Sequence, residues 1–565
     1  MSSSKQADLF ASKNGKLSVR VNASVPATLL NVLLGETAHD DDDNTGSHFS
    51  KGTERGLSRA LYASSIGGSY LAVSYAGRFM LLEAPERLET SGELRLVSIG
   101  CEAASPGETI TAICCLSIYS SHSRHYSQSR EAKLQGQRGD DKSLCVAVGY
   151  SSGYLRIFSV HGHLLTTHQF HSHQLAQIRL RMPSQANSAH TRGEMRYVAN
   201  EDSIGGGGSA ASTSDSEEVC LTYTDGTMVS IDGKSLYLAL RLCLDDAASP
   251  MGGGHDDGGP SFMYKKWAFD LHSPRVYDAV SYGPTVHRDP LASLAKATST
   301  SSPLLSGATA RFLVAPQHGD AAFGVYMTND DARMSLSAVD IAGKMAAKVT
   351  GAVLNIAKSY FWRSGNASAD PAAEPRSSAV SAALSACSEP GTLVPCAFGI
   401  RDSPRKVLSI SLAPAPYNLA ALTDSLGRVL IFDLESCEIV HMLKGLRGSQ
   451  CAWLEIDSTA NEAGSTAEPP DSKNKALGRR RRMFVVIYAA RRGTVEAFEL
   501  GSLERPVASV NVGLGWSLVQ CPTQPLGGSL VVGSADRARR AVLPAPASCF
   551  LVDSKGSVAH IEITV

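Results

Sequence analysis

The stretch NLAALTDSLGRVLIFDL, Asn418 to Leu434, joins two short apolar runs through a polar turn that contains Gly427. Val429, Leu430 and Ile431 favour an extended backbone, as β-branched and large apolar residues generally do. A Gly in such a turn suits a tight reversal of the chain, because these turns often require a positive φ that penalises any residue with a Cβ. The stretch therefore predicts a β-hairpin.

Five further stretches repeat this pattern of an apolar run, a polar turn with Gly and a second apolar run. The first runs are rich in Val, Leu, Ile and Tyr, and the second runs alternate apolar and polar residues, as half-buried strands do. The chain is therefore predicted to contain six hairpins of one type. The five stretches are LAVSYAGRFMLLEAP with Gly77, VAVGYSSGYLRIFSVHGHLL with Gly153, CLTYTDGTMVSIDG with Gly226, VVIYAARRGTVEAFEL with Gly493 and CFLVDSKGSVAHIEI with Gly556.

The spacing of these glycines predicts a repeat architecture with long insertions. Successive glycines are 63 to 76 residues apart, except for a gap of 201 residues between Gly226 and Gly427. One blade of a WD-repeat propeller takes about 40 to 45 residues, so insertions must lengthen the period. Radial repetition leaves only short, protected strand edges. We therefore predict an all-β fold, namely a WD-repeat-like β-propeller with low-complexity loop insertions and one inserted amphipathic helix.

The insertions and the N-terminus set the predicted domain boundaries. Residues 1–56 are predicted to form a mostly disordered tail with at most one strand, and this tail includes the acidic tract HDDDDN. Residues 57–565 are predicted to form the propeller domain. The insertions, such as DDAASPMGGGHDDGGP before Ser261, are rich in Gly, Ser and charge and poor in large apolar residues. Burial of such sequence cannot compensate for its ordering entropy, so we interpret the insertions as mobile loops.

One segment, residues 337–364, breaks the β pattern and predicts an amphipathic helix, followed by a flexible linker over residues 365–392. This helix has three interpretations: packing on the propeller, docking a partner helix, or lying at a membrane surface beside Phe361 and Trp362. Packing on the propeller is the default. The residues at helical spacing are Val339, Ala342, Met345, Val349, Val353, Ile356 and Tyr360, and the basic side is Lys344, Lys348, Lys358 and Arg363.

The composition argues against binding of nucleic acid through overall charge and favours a reducing compartment. The formal net charge of −1 gives no overall field that would gather nucleic acid or an anionic membrane. Twelve Cys occur without a C-x-x-C pair, which argues against a zinc site and for reduced, buried thiols. The N-terminal residues lack the pattern of a secretory signal. We expect a cytoplasmic protein with no cofactor and no metal.

Two motifs resemble catalytic or nucleotide-binding sequences. GYSSG, Gly149 to Gly153, fits the nucleophile-elbow pattern with Ser151 as nucleophile, but the strand-like YLRIFSV follows where the elbow needs a helix. DGTMVSIDGKS ends like a phosphate-binding loop, yet Met228 occupies the position of the required first Gly. We therefore interpret Ser151 as part of a hairpin and the segment at Gly233 as a turn between strands.

The stretch HGHLLTTHQFHSH raises the question of a metal site, because imidazole is a common metal ligand. No Cys or paired acid joins these histidines at a zinc-site spacing, so we interpret the stretch as a polar strand edge with exposed His. The run Arg479 to Arg482 is interpreted as a solvated loop, with a nuclear-import or anionic-surface patch as the alternative. The five histidines are His161, His163, His168, His171 and His173.

The stretch SISLAPAPYNLAALTDSLGRVLIFDLESCEIVHMLKGLRGSQCAWLEI, Ser409 to Ile456, resembles the N-terminal domain of the non-catalytic (regulatory) subunit of the Rab-three GTPase-activating protein complex. GYSSGYLRIF from Gly149, YKKWAF from Tyr264, AFGIRDSPRKVLSI from Ala397 and VVIYAARRGTVEAF from Val485 agree in order, and the resemblance spans residues 57–565. The matching residues are Thr423-Asp424, Gly427-Arg428-Val429, Lys444-Gly445, Arg447 and Trp453.

The resemblance implies a regulatory subunit whose hairpins are the blades of a platform. Asp424 and Arg428 would serve turn geometry and blade packing, and no residue of this chain is catalytic, because the arginine finger of the complex belongs to the catalytic subunit. The implied partners are that catalytic subunit and Rab GTPases. The family complex is also linked to nucleotide exchange on another Rab, to autophagy and to endoplasmic-reticulum organisation.

Two other functions remain open from the residues alone. The first is a stand-alone propeller scaffold in membrane trafficking, since this sequence lacks the long helical region that follows the propeller in the family. The second is a hydrolase that uses Ser151.

Five residues are candidates for contact with partners, because cationic and aromatic groups often anchor interfaces. They are Lys265, Lys266, Trp267, Lys444 and Arg447. The alternative is that the Lys stems cover apolar surface and that Trp267 is a core residue.

Overall fold

The computed structural model folds the chain into seven sheets, each built on a four-stranded antiparallel blade, and two of the sheets carry two further strands. The first or second strands of neighbouring blades contact each other, from blade 1 round to blade 7 and back to blade 1, so the sheets form a closed ring. The structure describes residues 10–11, 17–34, 60–84, 92–100, 107–119, 144–183, 216–247, 262–284, 309–329, 335–336, 387, 389–415, 417–457, 481–528 and 544–563.

The N-terminal elements and blades 1 and 2 come first in the chain. β6 pairs in parallel with β2 and is an additional strand of the sheet that contains β2. The N-terminal elements are β1 (Phe10–Ala11), β2 (Leu17–Ser24) and α1 (Ala27–Leu34). Blade 1 and the strand β6 comprise β3 (Leu61–Ser64), β4 (Tyr70–Tyr75), β5 (Arg78–Glu83), β6 (Gly92–Glu93) and β7 (Arg95–Gly100), with a 3-10 turn at Ile66–Gly68. Blade 2 comprises β8 (Ile110–Ser117), β9 (Leu144–Tyr150), β10 (Tyr154–Ser159) and β11 (Leu164–Gln169).

Blades 3 and 4 carry the additional elements of the ring. α2 lies between the third and fourth strands of blade 3, and β19 and β20 both pair with the outer strand β15. Blade 3 comprises β12 (Leu175–Arg181), β13 (Glu218–Tyr223), β14 (Met228–Asp232), α2 (Gly233–Ala247) and β15 (Met263–Phe269). Blade 4 and the added strands comprise β16 (Val276–Ser281), β17 (Thr309–Pro316), β18 (Ala321–Asn329), β19 (Ser335–Leu336), β20 (Thr392–Val394) and β21 (Cys396–Arg401).

Blades 5 and 6 are regular, and blade 7 is completed by the N-terminal part of the chain. Blade 5 comprises β22 (Val407–Leu412), β23 (Leu419–Asp424), β24 (Arg428–Asp433) and β25 (Glu438–Lys444). Blade 6 comprises β26 (Ser449–Asp457), β27 (Arg481–Ala489), β28 (Thr494–Glu499) and β29 (Ala508–Asn511). Blade 7 comprises β30 (Trp516–Gln520), β31 (Cys549–Asp553), β32 (Ser557–Ile563) and, as its outer strand, β2.

Strand β2 closes the ring. It pairs antiparallel with β32, with Leu17 opposite Ile563 and Val19 opposite Ile561. Its alternation of buried and less buried residues fits one face on the core. The propeller therefore includes residues before 57, the position at which the sequence set the start of this domain.

All six predicted hairpins are present, and the all-β propeller fold is confirmed. A seventh hairpin, β17–β18, turns at Gly319, which has a φ of 91°. It lies in the interval of 201 residues between Gly226 and Gly427, where the sequence pattern predicted no hairpin. Seven hairpins in seven blades explain why the six recognised copies were unevenly spaced.

The hydrophobic core is divided among the interfaces between blades. Seven clusters of buried residues are present in the described part of the chain, and each draws its main members from two neighbouring blades, including blades 7 and 1. Phe323 of blade 4 and Phe432 of blade 5, for example, meet edge to face with ring centroids 5.4 Å apart. Each blade is thus stabilised by both neighbours, which makes the closed ring the unit of stability.

The two described α-helices differ from the sequence-based predictions. The segment from Gly233 is the helix α2 and not the predicted turn between strands, because LYLALRLCL favours helix and Leu236 and Leu240 bury their side chains against the blades. At its start, Ser235 N donates a hydrogen bond to Oδ2 of Asp232 at 2.9 Å. The predicted helix 337–364 lies outside the described residues, as does its linker apart from residues 387 and 389–392.

Candidate functional site

Two kinds of loop meet on one face of the ring, which we call the hairpin face. Antiparallel strands alternate in direction, so the turn between the second and third strands lies on the same face as the connection between blades. The turn at Ser151 illustrates the contact, because its backbone N donates to Thr109 O at 2.9 Å and its Oγ accepts from Thr109 N at 3.1 Å. Turn and connection are thus joined by hydrogen bonds.

The turn of blade 5 is held by Asp424. Oδ1 accepts hydrogen bonds from the backbone N of Leu426 at 3.0 Å and of Arg428 at 2.7 Å, and Oδ2 accepts from Nε of Arg428 at 2.6 Å. The guanidinium of Arg428 also donates to Asp402, and Arg405 lies 3.6 Å from Oδ2 of Asp424. Through this network Asp424 and Arg428 stabilise the turn of blade 5 and its contact with the connection from blade 4.

The surroundings of Asp424 favour its charged form. Burial opposes ionisation, but the hydrogen bonds from Arg428 and Leu426, together with the positive charge of Arg428, outweigh it and lower the pKa of the carboxyl below its usual value. The side chain of Asp424 is almost fully buried, whereas that of Arg428 keeps partial contact with solvent. Asp424 is therefore a structural anion in this site.

Gly427 brings the turn of blade 5 against the connection to blade 6. Its φ is +95°, and a Cβ at this position would lie 2.9 Å from the backbone N of Arg447 and 2.5 Å from its Cγ. Both the positive φ and the close approach require glycine here. Gly153 and Gly493 occupy the corresponding turns of blades 2 and 6, the first against His171 and the second against Gly513.

Four cations cluster on the hairpin face where blades 5 and 6 meet, and we call them the basic patch. They are Lys444, Arg447, Arg491 and Arg492, all exposed. Arg491 N donates to Arg447 O at 3.4 Å, so these segments are in contact. Arg492 pairs with Glu496 at 3.3 Å, whereas the other three cations form no ion pair within the described part of the chain.

Two exposed leucines flank the basic patch. Leu426, in the turn of blade 5, is 46% exposed, and Leu514, in the connection from blade 6 to blade 7, is 70% exposed. Leu426 precedes Gly427, which contacts Arg447, and Leu514 follows Gly513, which contacts Gly493. The leucines and the basic patch therefore form one surface, with cations between apolar side chains.

The other sequence candidates lie in the core of blade 3. Trp267 is buried, its Nε1 donates to Oγ of Ser230 at 3.2 Å, and its ring packs on Phe312. Lys266 is buried as well, and its Nζ donates to the carbonyl oxygens of Phe170 at 3.0 Å and Cys387 at 3.3 Å. Burial lowers the pKa of Lys266.

Strand pairing explains why these residues are not at the surface. β20 and β19 cover the outer edge of β15, and blade 4 packs on the face that carries Trp267. Lys265, the third residue of this group, is half-buried. Of the five interaction candidates, only Lys444 and Arg447 are therefore exposed, and these two lie together in the basic patch.

The histidine-rich stretch is only partly the exposed strand edge that its sequence predicts. His161 and His163 are exposed, but His168 is buried, accepts or donates a hydrogen bond with Thr166 at 2.7 Å and stacks on Phe170. His171 and His173 lie on the connection to blade 3, beside the hairpin turn at Asp225. Nε2 of His171 is 2.6 Å from Oδ2 of Asp225. The fold thus supplies the acid that the linear sequence lacked.

Neither enzyme-like motif has the structural context of its family. The hairpin β9–β10 contains Ser151, as predicted, and no helix follows the turn. Gly233 does begin a helix, but the carboxylate of Asp232 occupies the N-terminal end where a phosphate would bind. In the arginine run, Arg481 and Arg482 open β27 and pair with Glu455 and Glu499, instead of lying free in a loop.

The family was identified by comparison with known proteins. The model of the family described as Rab3 GTPase-activating protein regulatory subunit N-terminus matches residues 57–519. The chain belongs to this family. The sequence resemblance is thereby confirmed over most of the propeller.

Several solved structures are similar to this chain. Saccharomyces cerevisiae Sqt1 has 10% identity and a TM-score of 0.32, with 90% of this chain and 84% of that chain covered. The C-terminal WD40 domain of Sif2 has 8% identity and a TM-score of 0.34, covering 89% and 95%. BBS1N, in a structure with ARL6DN, has 7% identity and a TM-score of 0.35, covering 89% and 90%.

The hairpin face of blades 5 and 6 lies inside the matched residues and combines the basic patch with two exposed leucines. Neither helix in the described part of the chain is long and apolar enough to cross a membrane.

Proposed function

We propose that this chain is the regulatory, non-catalytic subunit of a Rab GTPase-activating complex and supports the action of a catalytic subunit on Rab GTPases in vesicle trafficking. The observation that carries the proposal is the family match over residues 57–519. In GTPase activation, an arginine supplied in trans can stabilise the charge of the transition state. We assign that arginine to the catalytic subunit, so this chain contributes binding and positioning.

The hairpin face of blades 5 and 6 is our candidate for the surface that binds the catalytic subunit. Interfaces are enriched in Arg and in apolar anchors, and a few residues contribute most of the affinity. Leu426 and Leu514 supply exposed apolar side chains, and Lys444, Arg447 and Arg491 supply positive charge without an ion-pair partner in the described residues. The complementary surface is therefore acidic with apolar pockets.

The experiment is a reconstitution of the complex with the full-length chain. The catalytic subunit is titrated with this chain, and GTP hydrolysis is measured on a panel of Rab GTPases. We expect binding and a change in hydrolysis that depends on this chain. A regulatory role is refuted if the chain binds no catalytic subunit and leaves hydrolysis unchanged on every Rab.

Charge-reversal variants test the surface. Lys444→Glu together with Arg447→Glu should weaken binding at least tenfold, because both charges would then oppose an acidic partner. The control is Arg505→Glu, since Arg505 is exposed on blade 6 but lies in the loop between β28 and β29, on the opposite face. Equal loss of binding in the two variants would exclude the hairpin face as the specific surface.

We also propose a cytoplasmic location, peripheral on endoplasmic-reticulum or vesicle membranes, where Rab GTPases act. The location follows from the proposed action on Rab GTPases at membranes. Cell fractionation with and without the catalytic subunit tests it, and a chain that remains in the lumen of an organelle would refute it.

A stand-alone scaffold in membrane trafficking is the second candidate function. The observation in its favour is the outer strand β25, on which Ile439, Val440 and Met442 are exposed, Val440 to 52%. An exposed edge with apolar side chains can accept a further strand from a bound peptide. Recovery of other trafficking proteins with this chain, together with unchanged GTP hydrolysis, would favour the scaffold.

A further inference from the structure

Three potential metal ligands converge on the hairpin face between blades 2 and 3. Nε2 of His171 lies 2.6 Å from Oδ2 of Asp225, and Nδ1 of His173 lies 3.1 Å from Nε2 of His171. Nδ1 of His173 is 3.6 Å from Oδ2 of Asp225. Two imidazoles and one carboxylate therefore each offer one ligand atom, and these atoms lie within 4.8 Å of one another.

The fold holds these residues in place independently of any ion. Asp225 lies in the turn of the β13–β14 hairpin, where Oδ1 accepts from Thr227 N at 3.0 Å and Oδ2 from Oγ1 of Thr227 at 2.9 Å. The ring of Tyr223 meets that of His171 edge to face at 5.2 Å. Sites on such supported turns bind with little reorganisation.

A hydrogen bond between His171 and Asp225 alone would join the connection to the turn, as other contacts do elsewhere on this face. That interpretation leaves His173 unexplained. An imidazole nitrogen carries either a proton or a lone pair, so Nε2 of His171 cannot donate to Asp225 and also accept from His173. A cation between the three atoms satisfies all of them at once, because each then acts as a lone-pair donor.

We propose that His171, His173 and Asp225 bind a divalent first-row transition metal ion, with Zn²⁺ as the best match. Zinc–nitrogen and zinc–oxygen bonds of about 2.0 to 2.2 Å place tetrahedral ligand atoms about 3.3 to 3.6 Å apart. Two observed separations, 3.1 and 3.6 Å, lie close to or within that range, and the 2.6 Å between His171 and Asp225 is a hydrogen-bond distance that widens when the ion replaces the proton. Ca²⁺ and Mg²⁺ are disfavoured because they prefer oxygen ligands.

The fourth ligand position faces solvent, since the side chain of His173 is 57% exposed. Water completes the coordination in the isolated chain, and an acidic or imidazole side chain of a partner can replace that water. The ion joins the connection after blade 2 to the turn of blade 3. Burial raises the pKa of Cys114, Cys220 and Cys451 to about 12, which disfavours the thiolate form that binds metal ions.

The test uses the full chain, purified without a polyhistidine tag and stripped of metal, in competition with a chromophoric zinc chelator. We expect one Zn²⁺ bound per chain. When Co²⁺ replaces Zn²⁺, the visible absorption bands should have the intensity that is typical of four-coordinate Co²⁺. His173→Ala should weaken Zn²⁺ binding at least tenfold while it preserves the hydrogen bond between His171 and Asp225, and hence the melting temperature of the metal-free chain.

His161→Ala is the matched control, because His161 is an exposed histidine of the same stretch that lies outside the cluster. Zn²⁺ binding by this variant should equal that of the wild type, and Zn²⁺ should raise the melting temperature of both. The proposal is overturned if the wild type does not compete with the chelator, or if His173→Ala binds Zn²⁺ as tightly as the wild type does.

Discussion

Val19 and Ile561 lie opposite each other in blade 7, so residues separated by almost the whole chain pair in one sheet. Both side chains are buried in the cluster between blades 6 and 7. The ring is therefore closed by non-covalent contacts between the two ends of the described chain.

Val19→Asp should weaken this closure. A carboxylate at a buried, apolar position is left without a partner, and the free energy of unfolding should fall by about 3 kcal/mol or more. Urea unfolding followed by tryptophan fluorescence measures the change. Arg20→Asp is the control, because Arg20 is exposed on the same strand, and it should alter stability by no more than about 0.5 kcal/mol.

Asp424→Asn should remove a stabilisation that depends on pH. The pKa of Asp424 is lowered in the folded chain, so its contribution is present above the unfolded pKa near 4 and is lost as the pH falls below that value. At pH 7 the variant should be less stable by about 2 kcal/mol, the range for hydrogen bonds to charged groups.

The measurement for Asp424→Asn is urea unfolding at a series of pH values from 7 to 3. The difference from the wild type should shrink below pH 4. Glu438→Gln, which changes an exposed carboxyl of the same blade, should follow the wild type throughout. A difference that stays constant down to pH 3 would contradict the assigned role of the Asp424 charge.

Gly427→Ala separates backbone strain from close packing. A positive φ costs a residue with a Cβ about 1 to 3 kcal/mol, and at this position the Cβ also meets the backbone of Arg447. Gly513→Ala is the control, since its φ is +87° but no atom lies within 4 Å of the added Cβ. The melting temperature of Gly427→Ala should be lower than that of Gly513→Ala. Equal melting temperatures would mean that Arg447 moves away from the added Cβ without a loss of stability.

Trp267→Ala and Leu514→Ala should have opposite effects on stability and binding. Trp267 fills the core between blades 3 and 4, so its removal should cost about 3 to 5 kcal/mol of stability. Leu514 is 70% exposed, so its removal should leave stability almost unchanged and weaken binding of the catalytic subunit. Denaturation curves and binding titrations of both variants make the comparison, and loss of stability in Leu514→Ala would contradict it.

The fold was largely predictable from local sequence, because each hairpin carries its own turn and its own alternation. The missed hairpin had the same signal, with Gln317 and His318 before Gly319, but it stood alone in a long interval without neighbouring copies. The role of β2 in the ring was not predictable, because its partner strand β32 lies at the other end of the described chain.

The candidate sites were less predictable, because they depend on which loops the ring brings together. His171 and Asp225 are 54 residues apart in sequence and meet only because a connection packs on the next hairpin turn. Lys444 and Arg447 were recognised as cations in a short motif, but their exposure and contact with Arg491 follow from blade order. Trp267 was ambiguous in sequence, because aromatic residues serve both cores and interfaces.

Because synthesis proceeds from the N-terminus, the outer strand of blade 7 is made long before the strand with which it pairs. β2 leaves the ribosome before blade 1, whereas β32 follows roughly 30 to 110 seconds after β2 at 5 to 20 residues per second. During that interval Leu17 and Val19 have no sheet to join, and blade 1 lacks one of its two neighbours. The nascent chain therefore exposes an apolar strand that molecular chaperones can bind until the last blade emerges.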